Sequence, residues 1–219
     1  MEQFKHHVSQ HKDGTYSLGV SIDQGYMTPE DLAILSQLAK KYQVSTLMAT
    51  TAKKISFMDV AEANVNPLWE DLEQAFGQRL CFPKGKVIVC PGSKFCKFAT
   101  PGRDNHAIGR QVERISQAHE AGKVKVGVSC CQLGCAMPRV RDIGILANAK
   151  GWMLTIGGNG GAKPGVGQIV AQDLSEEELL TLLDKVYQYF ETNKNGKERT
   201  IRVVERLGIE HLKAAVLEQ

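Results

Sequence analysis

The 219-residue sequence predicts an α+β fold made of two consecutive sections. Short runs rich in β-branched residues, typical of strands, alternate with longer runs in which apolar residues recur at helical spacing. Capping signals precede several of the longer runs, which supports their assignment as helices. All six cysteines lie in the second section, so we divide the chain into residues 1–77 and 78–219.

The first section has the predicted order strand, helix, strand, helix, at residues 16–22, 28–42, 44–50 and 66–76. The first helix has the clearest signals, because Thr28 is placed to cap its N-terminus and Asp31 completes a capping box. Its apolar residues, which include Leu32 and Leu35, recur at helical spacing and are expected to pack on a core.

The second section contains the remaining predicted elements. Strands are expected at 85–90, 123–131, 142–148 and 151–157, and helices at 105–120, 175–193 and, in two short pieces separated at Gly208, 198–219. A capping box formed by Ser175 and Glu178 begins the second of these helices. A glycine-rich loop, 157–167, is expected to connect the sheet to that helix.

The composition argues against several classes of protein. A formal net charge of +3 is too small to indicate nucleic-acid binding. No apolar run approaches the ~18 residues that span a membrane, and the polar N-terminus lacks the apolar region of a secretory signal. We therefore expect a cytoplasmic protein. In that reducing compartment six cysteines indicate metal or redox chemistry more than disulfides.

Four of the cysteines form two pairs in the sequence. Cys90 and Cys96 have C-x5-C spacing, and Cys131 and Cys135 have C-x3-C spacing. Each pair directly follows a predicted strand, so parallel neighbouring strands would bring both pairs to one end of a sheet. Converging thiolates suit an iron–sulfur cluster or tetrahedral zinc. The spacings differ from those of structural zinc knuckles and favour a 4Fe-4S cluster, with zinc and unligated thiols as alternatives.

Basic residues accompany the cysteine pairs. From Arg79 to Arg141 the chain has twelve lysines and arginines and only three acids. This excess indicates an anionic ligand or, alternatively, an ordinary solvated surface. Lys123 and Lys125 alternate along a predicted strand, so both side chains are expected on one face, one strand away from the metal site.

The cysteine pattern and its surroundings resemble the siroheme-dependent nitrite and sulfite reductases. KVKVGVSCCQLGC, residues 123–135, is similar to that family's K-x-K-x-x-x-S-G-C-x-x-x-C segment, and residues 142–164 are similar to its strand pair and glycine loop. Residues 28–57 resemble the ferredoxin-like half-domain that precedes the cluster domain in the family. The likeness covers nearly all of 17–215 and indicates a small, single-repeat member or the corresponding module of the larger nitrite reductases.

The resemblance implies a ferredoxin-like half-domain, 1–77, followed by a 4Fe-4S and siroheme domain, 78–219. The implied cluster ligands are Cys90, Cys96, Cys131 and Cys135. Cys135 would also bridge the cluster to the siroheme iron. The implied reaction is the six-electron reduction of sulfite to sulfide, or of nitrite to ammonia.

Other roles follow from the same resemblance. Lys123 and Lys125 match the family's K-x-K, which faces substrate oxygens or haem carboxylates. The remaining residues expected to contact the cofactor are Arg139, Arg141, Asn159, Gly160 and Lys163. No flavin or nicotinamide motif is present, so electrons would come from a separate ferredoxin or flavoprotein. A homodimer is expected as one way to reproduce the paired repeats of larger relatives.

The sequence departs from the family at the anion site of the half-domain. Where an arginine is usual, this chain has Ala52 or, in a second alignment, Lys54, which would be the catalytic cation there. Lysine keeps the charge without the guanidinium fork. This departure favours an alternative function, an iron–sulfur electron-transfer or tetrapyrrole-binding protein without six-electron turnover.

Two cysteines are expected to lie outside the ligand set. Cys130 stands where the family has glycine, and strand alternation predicts that it points away from Cys131. Cys81 has no partner at a suitable spacing and is expected to be a buried thiol.

Overall fold

The computed structural model describes Phe4 and residues 8–81, 87–92 and 94–217. The chain forms two compact units, residues 1–85 and 86–219. The sequence-based division between 77 and 78 lies before this boundary, because the short strand Leu80–Cys81 pairs within the first unit. Among the described residues, no helix is long and apolar enough to cross a membrane.

The first unit is an antiparallel sheet packed with helices. Its strands are β1 (Ser9–Gln10), β2 (Tyr16–Ile22), β3 (Leu47–Ala49), β4 (Ile55–Val60) and β5 (Leu80–Cys81), and its helices are α1 (Pro29–Lys41) and α2 (Val65–Phe76). The strand order is β1-β2-β4-β3, with β5 also paired to β2. Trp69 from α2 and Phe57 from β4 are fully buried in its core.

The predicted capping box of α1 is confirmed. Thr28 Oγ1 accepts a hydrogen bond from Asp31 N at 3.2 Å, and Asp31 Oδ2 accepts one from Thr28 N at 2.8 Å. The expectation for Leu32 is wrong, because this side chain is 49% exposed. Asp31, Leu35 and Ala39 form the buried face of α1 at a spacing of one helical turn, which leaves Leu32 beside that face.

The second unit is a mixed sheet covered by helices. Its strands are β6 (Val87–Val89), β7 (Val126–Ser129), β8 (Ile143–Ala147), β9 (Trp152–Ile156) and β10 (Gln168–Leu174), and its helices are α3 (Asn105–Ala118), α4 (Glu176–Asn193), α5 (Thr200–Leu207) and α6 (Ile209–Leu217). The order is β10-β9-β8-β7-β6. β6, β7 and β8 run parallel, whereas β9 and β10 are antiparallel to their neighbours.

Most predicted elements of the second unit are confirmed, with two corrections. β10 lies where the sequence predicted a direct connection from the glycine loop to α4. β7 begins at Val126, so Lys123 and Lys125 precede the strand instead of lying on it. In the first unit, β1, β4 and β5 also lie outside the predicted strands.

One face of the second sheet has a row of glycines. Gly127 of β7 pairs in register with Gly144 of β8. A Cβ atom on Gly127 would lie 2.7 Å from the carbonyl oxygen of Ala136. A Cβ atom on Gly144 would collide with the carbonyl oxygen of Pro138. The segment 136–141, here named the return segment because it leads the chain back to β8, therefore lies directly on the sheet.

The loop after β9 holds the return segment from a second side. Gly158 has no room for a Cβ atom, because the carbonyl oxygens of Arg139 and Arg141 lie too close to it. Gly167 N donates a hydrogen bond to the Arg139 carbonyl oxygen at 2.7 Å. The glycine at 158 thus accommodates protein backbone.

We predict that Gly144→Ala destabilises the second unit, because the new methyl group would collide with the Pro138 carbonyl and the Thr155 hydroxyl. The free energy of unfolding should fall by about 2 kcal/mol, a typical value for overpacking. Chemical denaturation followed by circular dichroism measures the change. Gly160→Ala is the matched control, because its Cβ would meet Val140 at an ordinary 3.7 Å. An equal loss in both variants would contradict the steric explanation.

His119 joins the end of α3 to α4. Its Nδ1 lies 2.9 Å from Glu191 Oε2 and its Nε2 lies 2.9 Å from Asp184 Oδ1. The ring also stacks on Tyr187. Burial lowers the pKa of His119, but the hydrogen bonds and charges of the two carboxylates outweigh burial, so the pKa is raised.

This raised pKa predicts that stability depends on pH. A protonated His119 stabilises the fold fully below the unfolded pKa of about 6.5, and the contribution is lost as pH rises through the higher folded pKa. The difference in unfolding free energy between the wild type and His119→Gln should therefore be largest in mild acid and shrink in alkaline buffer. Denaturation at a series of pH values tests this, and a difference that grows with pH would refute it.

Candidate metal centre and its basic surroundings

The two cysteine pairs follow neighbouring parallel strands. Cys90 comes directly after β6, and Cys131 and Cys135 follow β7. These strands pair in parallel, with Val89 opposite Val128. Both pairs therefore leave the sheet at the same edge, which is the arrangement expected from their spacing.

Several cysteines pack together with apolar residues at this edge, in a small cluster that is named the pocket here. Its buried members are Ile88, Cys90, Cys130 and Ala136, and its partly buried members are Cys96, Ala99 and Cys131. Cys135, by contrast, is exposed. Of the predicted ligands, three thus gather in the pocket and the fourth lies toward solvent.

Cys130 belongs to this pocket as well. Its Sγ lies 3.4 Å from Cys90 Sγ, and its backbone N–H donates to Cys90 Sγ at 3.2 Å. Burial raises the pKa of the Cys130 thiol, and the hydrogen bond with Cys90 raises it further. The residue that the sequence placed outside the ligand set therefore contacts one of the predicted ligands directly.

The donor set fits an iron–sulfur cluster by its chemistry. Among the described residues, no group of three or more histidines, cysteines, aspartates or glutamates has a ready metal-binding arrangement. The side chains gathered at the edge are nevertheless thiols packed with apolar residues. Thiolates are the usual ligands of iron–sulfur clusters, and zinc accepts them too.

The cysteine loops also expose large apolar side chains. These are Phe95 at 65%, Phe98 at 59%, Leu133 at 67% and Met137 at 44% exposure. Exposed apolar groups in such numbers indicate a binding surface. Leu133 and Met137 lie two residues from the exposed Cys135 in sequence, and Phe95 and Phe98 flank Cys96.

A buried carboxylate organises the basic residues before β7 and β8. Asp142 is fully buried and accepts hydrogen bonds from Lys125 N at 2.9 Å, Arg199 Nη2 at 2.6 Å and Thr200 Oγ1 at 2.5 Å. One carboxylate therefore ties the chain before β7 to the start of α5. Arg199 was not predicted from the sequence, because nothing in its local pattern distinguishes it from a surface arginine.

The positive charges around Asp142 act on one another. Burial lowers the pKa of Lys125, and the nearby charges of Arg199, Lys123 and Arg141 lower it further. Lys123 is exposed and Lys125 is half-buried. These four side chains, Lys123, Lys125, Arg141 and Arg199, are named the basic group here. With a single buried carboxylate among them, they form a candidate site for an anion.

Other predicted residues have more local partners. The side chain of Asn159 donates to the Lys163 carbonyl oxygen at 2.7 Å and so closes its own loop. Gly160 and Lys163 are exposed. Arg139 is exposed and donates to Gln132 Oε1 at 3.1 Å.

The half-domain residue Lys54 lies in the first unit, between β3 and β4. It is half-buried, and its backbone N–H donates to Thr50 Oγ1 at 3.1 Å. Ala52 is exposed in the same turn. The side chain of Cys81, which was expected to be buried, lies outside the described residues.

Comparison with protein families matches both parts of the chain. Residues 84–219 match the nitrite and sulphite reductase 4Fe-4S domain, and residues 7–75 match the nitrite/sulfite reductase ferredoxin-like half domain. The predicted α+β fold, with the half-domain first and the cluster domain second, is confirmed.

Known relatives and structures agree with this assignment. The chain is 31% identical to an assimilatory-type sulfite reductase of Nitratidesulfovibrio vulgaris over 93% of both chains. It is 30% identical to an NAD(P)H nitrite reductase of Bacillus subtilis, over 96% of this chain and 26% of that protein. NirA of Mycobacterium tuberculosis has a similar fold, with a TM-score of 0.74 and 21% identity over 95% of this chain and 41% of that one.

We predict that Asp142→Asn destabilises the second unit. Loss of the buried negative charge leaves Arg199 without its ionic partner, and the unfolding free energy should fall by about 3 kcal/mol. Chemical denaturation measures this. Glu210→Gln is the control, because Glu210 is 80% exposed in its pair with Lys213 and should contribute less than about 0.5 kcal/mol. Similar losses of unfolding free energy in the two variants would show that the buried Asp142 stabilises the fold no more than a surface carboxylate does.

Proposed function

Because the chain belongs to the nitrite and sulfite reductase family, we propose that it reduces sulfite to sulfide with six electrons at a siroheme coupled to a 4Fe-4S cluster. The observation that supports this most is the meeting of both cysteine pairs at one sheet edge. Sulfite is preferred over nitrite because the match to the sulfite reductase spans 93% of both proteins. The match to the Bacillus nitrite reductase covers only 26% of that protein.

In this proposal the cysteines hold the metal groups. The cluster ligands are Cys90, Cys96, Cys131 and Cys135. Cys135 would also be the residue that holds the siroheme, and its exposure supports this role because a group outside the pocket can approach it. When bound, the cluster supplies electrons one at a time and the siroheme supplies an iron with an open position for the anion.

The basic group binds and orients the anion in the proposed reaction. Arg199 is held by Asp142, and Arg141 leads from the return segment into β8, so neither cation depends on a flexible loop alone. Lys125 holds a proton at Nζ, and its lowered pKa makes it a better acid toward an oxygen that leaves as water. The charges together stabilise the anion as it is bound.

Electrons come from a separate protein in this proposal. The relatives include NAD(P)H and ferredoxin-dependent nitrite reductases, and the chain itself has no flavin or nicotinamide motif. We propose a ferredoxin or flavoprotein as the donor. The homodimer expected from the sequence stays a prediction.

A second function is favoured by one observation. Ala52 occupies the exposed turn before β4 where the family usually has an arginine, and Lys54 supplies a cation without the bidentate fork. A protein that binds the cluster and a tetrapyrrole but transfers electrons without six-electron turnover would accommodate this change.

Anaerobically purified protein should show siroheme bands and a broad cluster shoulder, and it should oxidise reduced viologen with sulfite faster than with nitrite. Lys125→Met should lower turnover with sulfite about 100-fold, because a proton donor and a cation are lost. Its iron and sulfide contents should stay those of the wild type. Lys213→Met, on the surface of α6, is the control and should keep full activity.

Other outcomes decide between the candidates. A protein with both chromophores that turns over neither anion would support the electron-transfer function. A colourless protein with one zinc per chain would contradict both functions. Unchanged turnover in Lys125→Met would remove this lysine from the mechanism while leaving the reductase assignment intact.

A further inference from the structure

Three hydrogen-bonding groups surround the sulfur of Cys90. The Cys90 thiol donates to Cys130 Sγ at 3.4 Å, and Cys90 Sγ accepts from the Cys130 backbone N–H at 3.2 Å and from Asn105 Nδ2 at 3.4 Å. Cys90, Cys130 and Asn105 are all buried, at 3%, 1% and 0% exposure. Bulk water therefore does not compete for these contacts.

The fold fixes each donor independently. Cys130 follows β7. Cys90 N donates to the Val128 carbonyl oxygen at 3.0 Å, which extends the parallel pairing of β6 and β7 and holds the two cysteines side by side. Asn105 is the first residue of α3, whose N-terminus is capped by Asp104. Asn105 Nδ2 also donates to the Cys90 carbonyl oxygen at 3.2 Å. The amide is thus directed at Cys90 by two contacts.

The thiol at position 130 adds a side chain to this arrangement. The family that the sequence resembles usually has glycine there, which has a backbone N–H but no side-chain donor. A Cys90 thiolate bound to a metal has no proton to donate. The direction of the 3.4 Å S–H···S contact would then reverse, with the Cys130 thiol as the donor.

We propose that Cys130 tunes the redox potential of the cluster through Cys90, by donating its S–H to the Cys90 thiolate alongside the Asn105 amide. The inference rests on the proposed 4Fe-4S cluster. Hydrogen bonds to a ligand sulfur raise the reduction potential, because they stabilise the extra negative charge of the reduced cluster. Cys130 is not a ligand and acts only through Cys90.

The test is the midpoint potential of the cluster, measured by a redox titration monitored by electron paramagnetic resonance on the anaerobic holoprotein. Cys130→Ala removes the thiol donor and should lower the potential. Cys130→Ser keeps a hydroxyl donor and should stay closer to the wild type. Ile88→Val is the matched control, because it trims the same apolar pocket without removing a donor and should leave the potential unchanged.

Iron and acid-labile sulfide should stay at wild-type amounts in all three variants. An unchanged potential in Cys130→Ala, or an equal shift in Ile88→Val, would overturn the inference. So would loss of the cluster in Cys130→Ala with retention in Cys90→Ala, because Cys130 would then be a ligand. If Cys130→Ala fails to fold, Cys130→Gly restores the residue usual in the family and should show the same fall.

Failure of the proposed function is visible in a separate measurement. Turnover of sulfite is assayed with reduced viologen, whereas the potential is read from the cluster without any substrate. A protein that has the cluster but does not reduce sulfite would contradict the proposed function. The midpoint potentials of its Cys130 variants would still test the role of Cys130. A wild-type protein without iron and sulfide would contradict both, and metal analysis detects this before any titration.

Discussion

The close approach of the return segment to the second sheet is the constraint on which the site depends. Because Gly127 and Gly144 lack side chains, the backbone after Cys135 rests on β7 and β8 with no intervening layer. Gly158 receives the same segment from the following loop. The chain therefore leaves β7, forms the cysteine loop and re-enters at β8 after the thirteen residues 130–142. Because β7 and β8 are parallel, this path runs from the C-terminal end of β7 back to the N-terminal end of β8, and it carries both a potential metal ligand, Cys135, and the cationic return segment.

Asp142 extends this arrangement to the charges. It stands at the end of the return segment, is fully buried, and is held by Lys125 N and by Arg199 and Thr200 at the start of α5. A buried carboxylate is costly unless it is paired, so its neutralisation by Arg199 fixes that arginine in place. Lys125 and Arg141 also interact with the charge of Asp142, but among the described contacts only Arg199 forms a direct ion pair with it. In the proposed function, the excess positive charge of the basic group binds the anion.

The sequence predicts this fold well where the determining interactions are local. The capping boxes at Thr28 and Ser175 are encoded within four residues, and both helices begin where these boxes indicate. β4 and β10 were missed, because their pairing depends on distant strands and on register shifts that no local pattern records. Arg199 was missed for the same reason, since its partner Asp142 is far away in sequence. The prediction from cysteine spacing succeeded because each cysteine pair follows one of two neighbouring parallel strands, β6 and β7, whose C-terminal ends lie side by side.

The two departures from the family pattern act at different parts of the chemistry. Ala52, or Lys54 in the second alignment, stands where an arginine is usual in the half-domain, and in the proposed function this change bears on how the anion is held. The buried Cys130 thiol beside Cys90 bears, in its proposed role, on the reduction potential of the cluster. The predicted ligand set is therefore asymmetric, with a deeply buried, hydrogen-bonded sulfur at Cys90 and an exposed residue at Cys135. Since solvent and hydrogen bonds both stabilise negative charge on sulfur, the proposed donation from Cys130 would compensate for the water that is absent around Cys90.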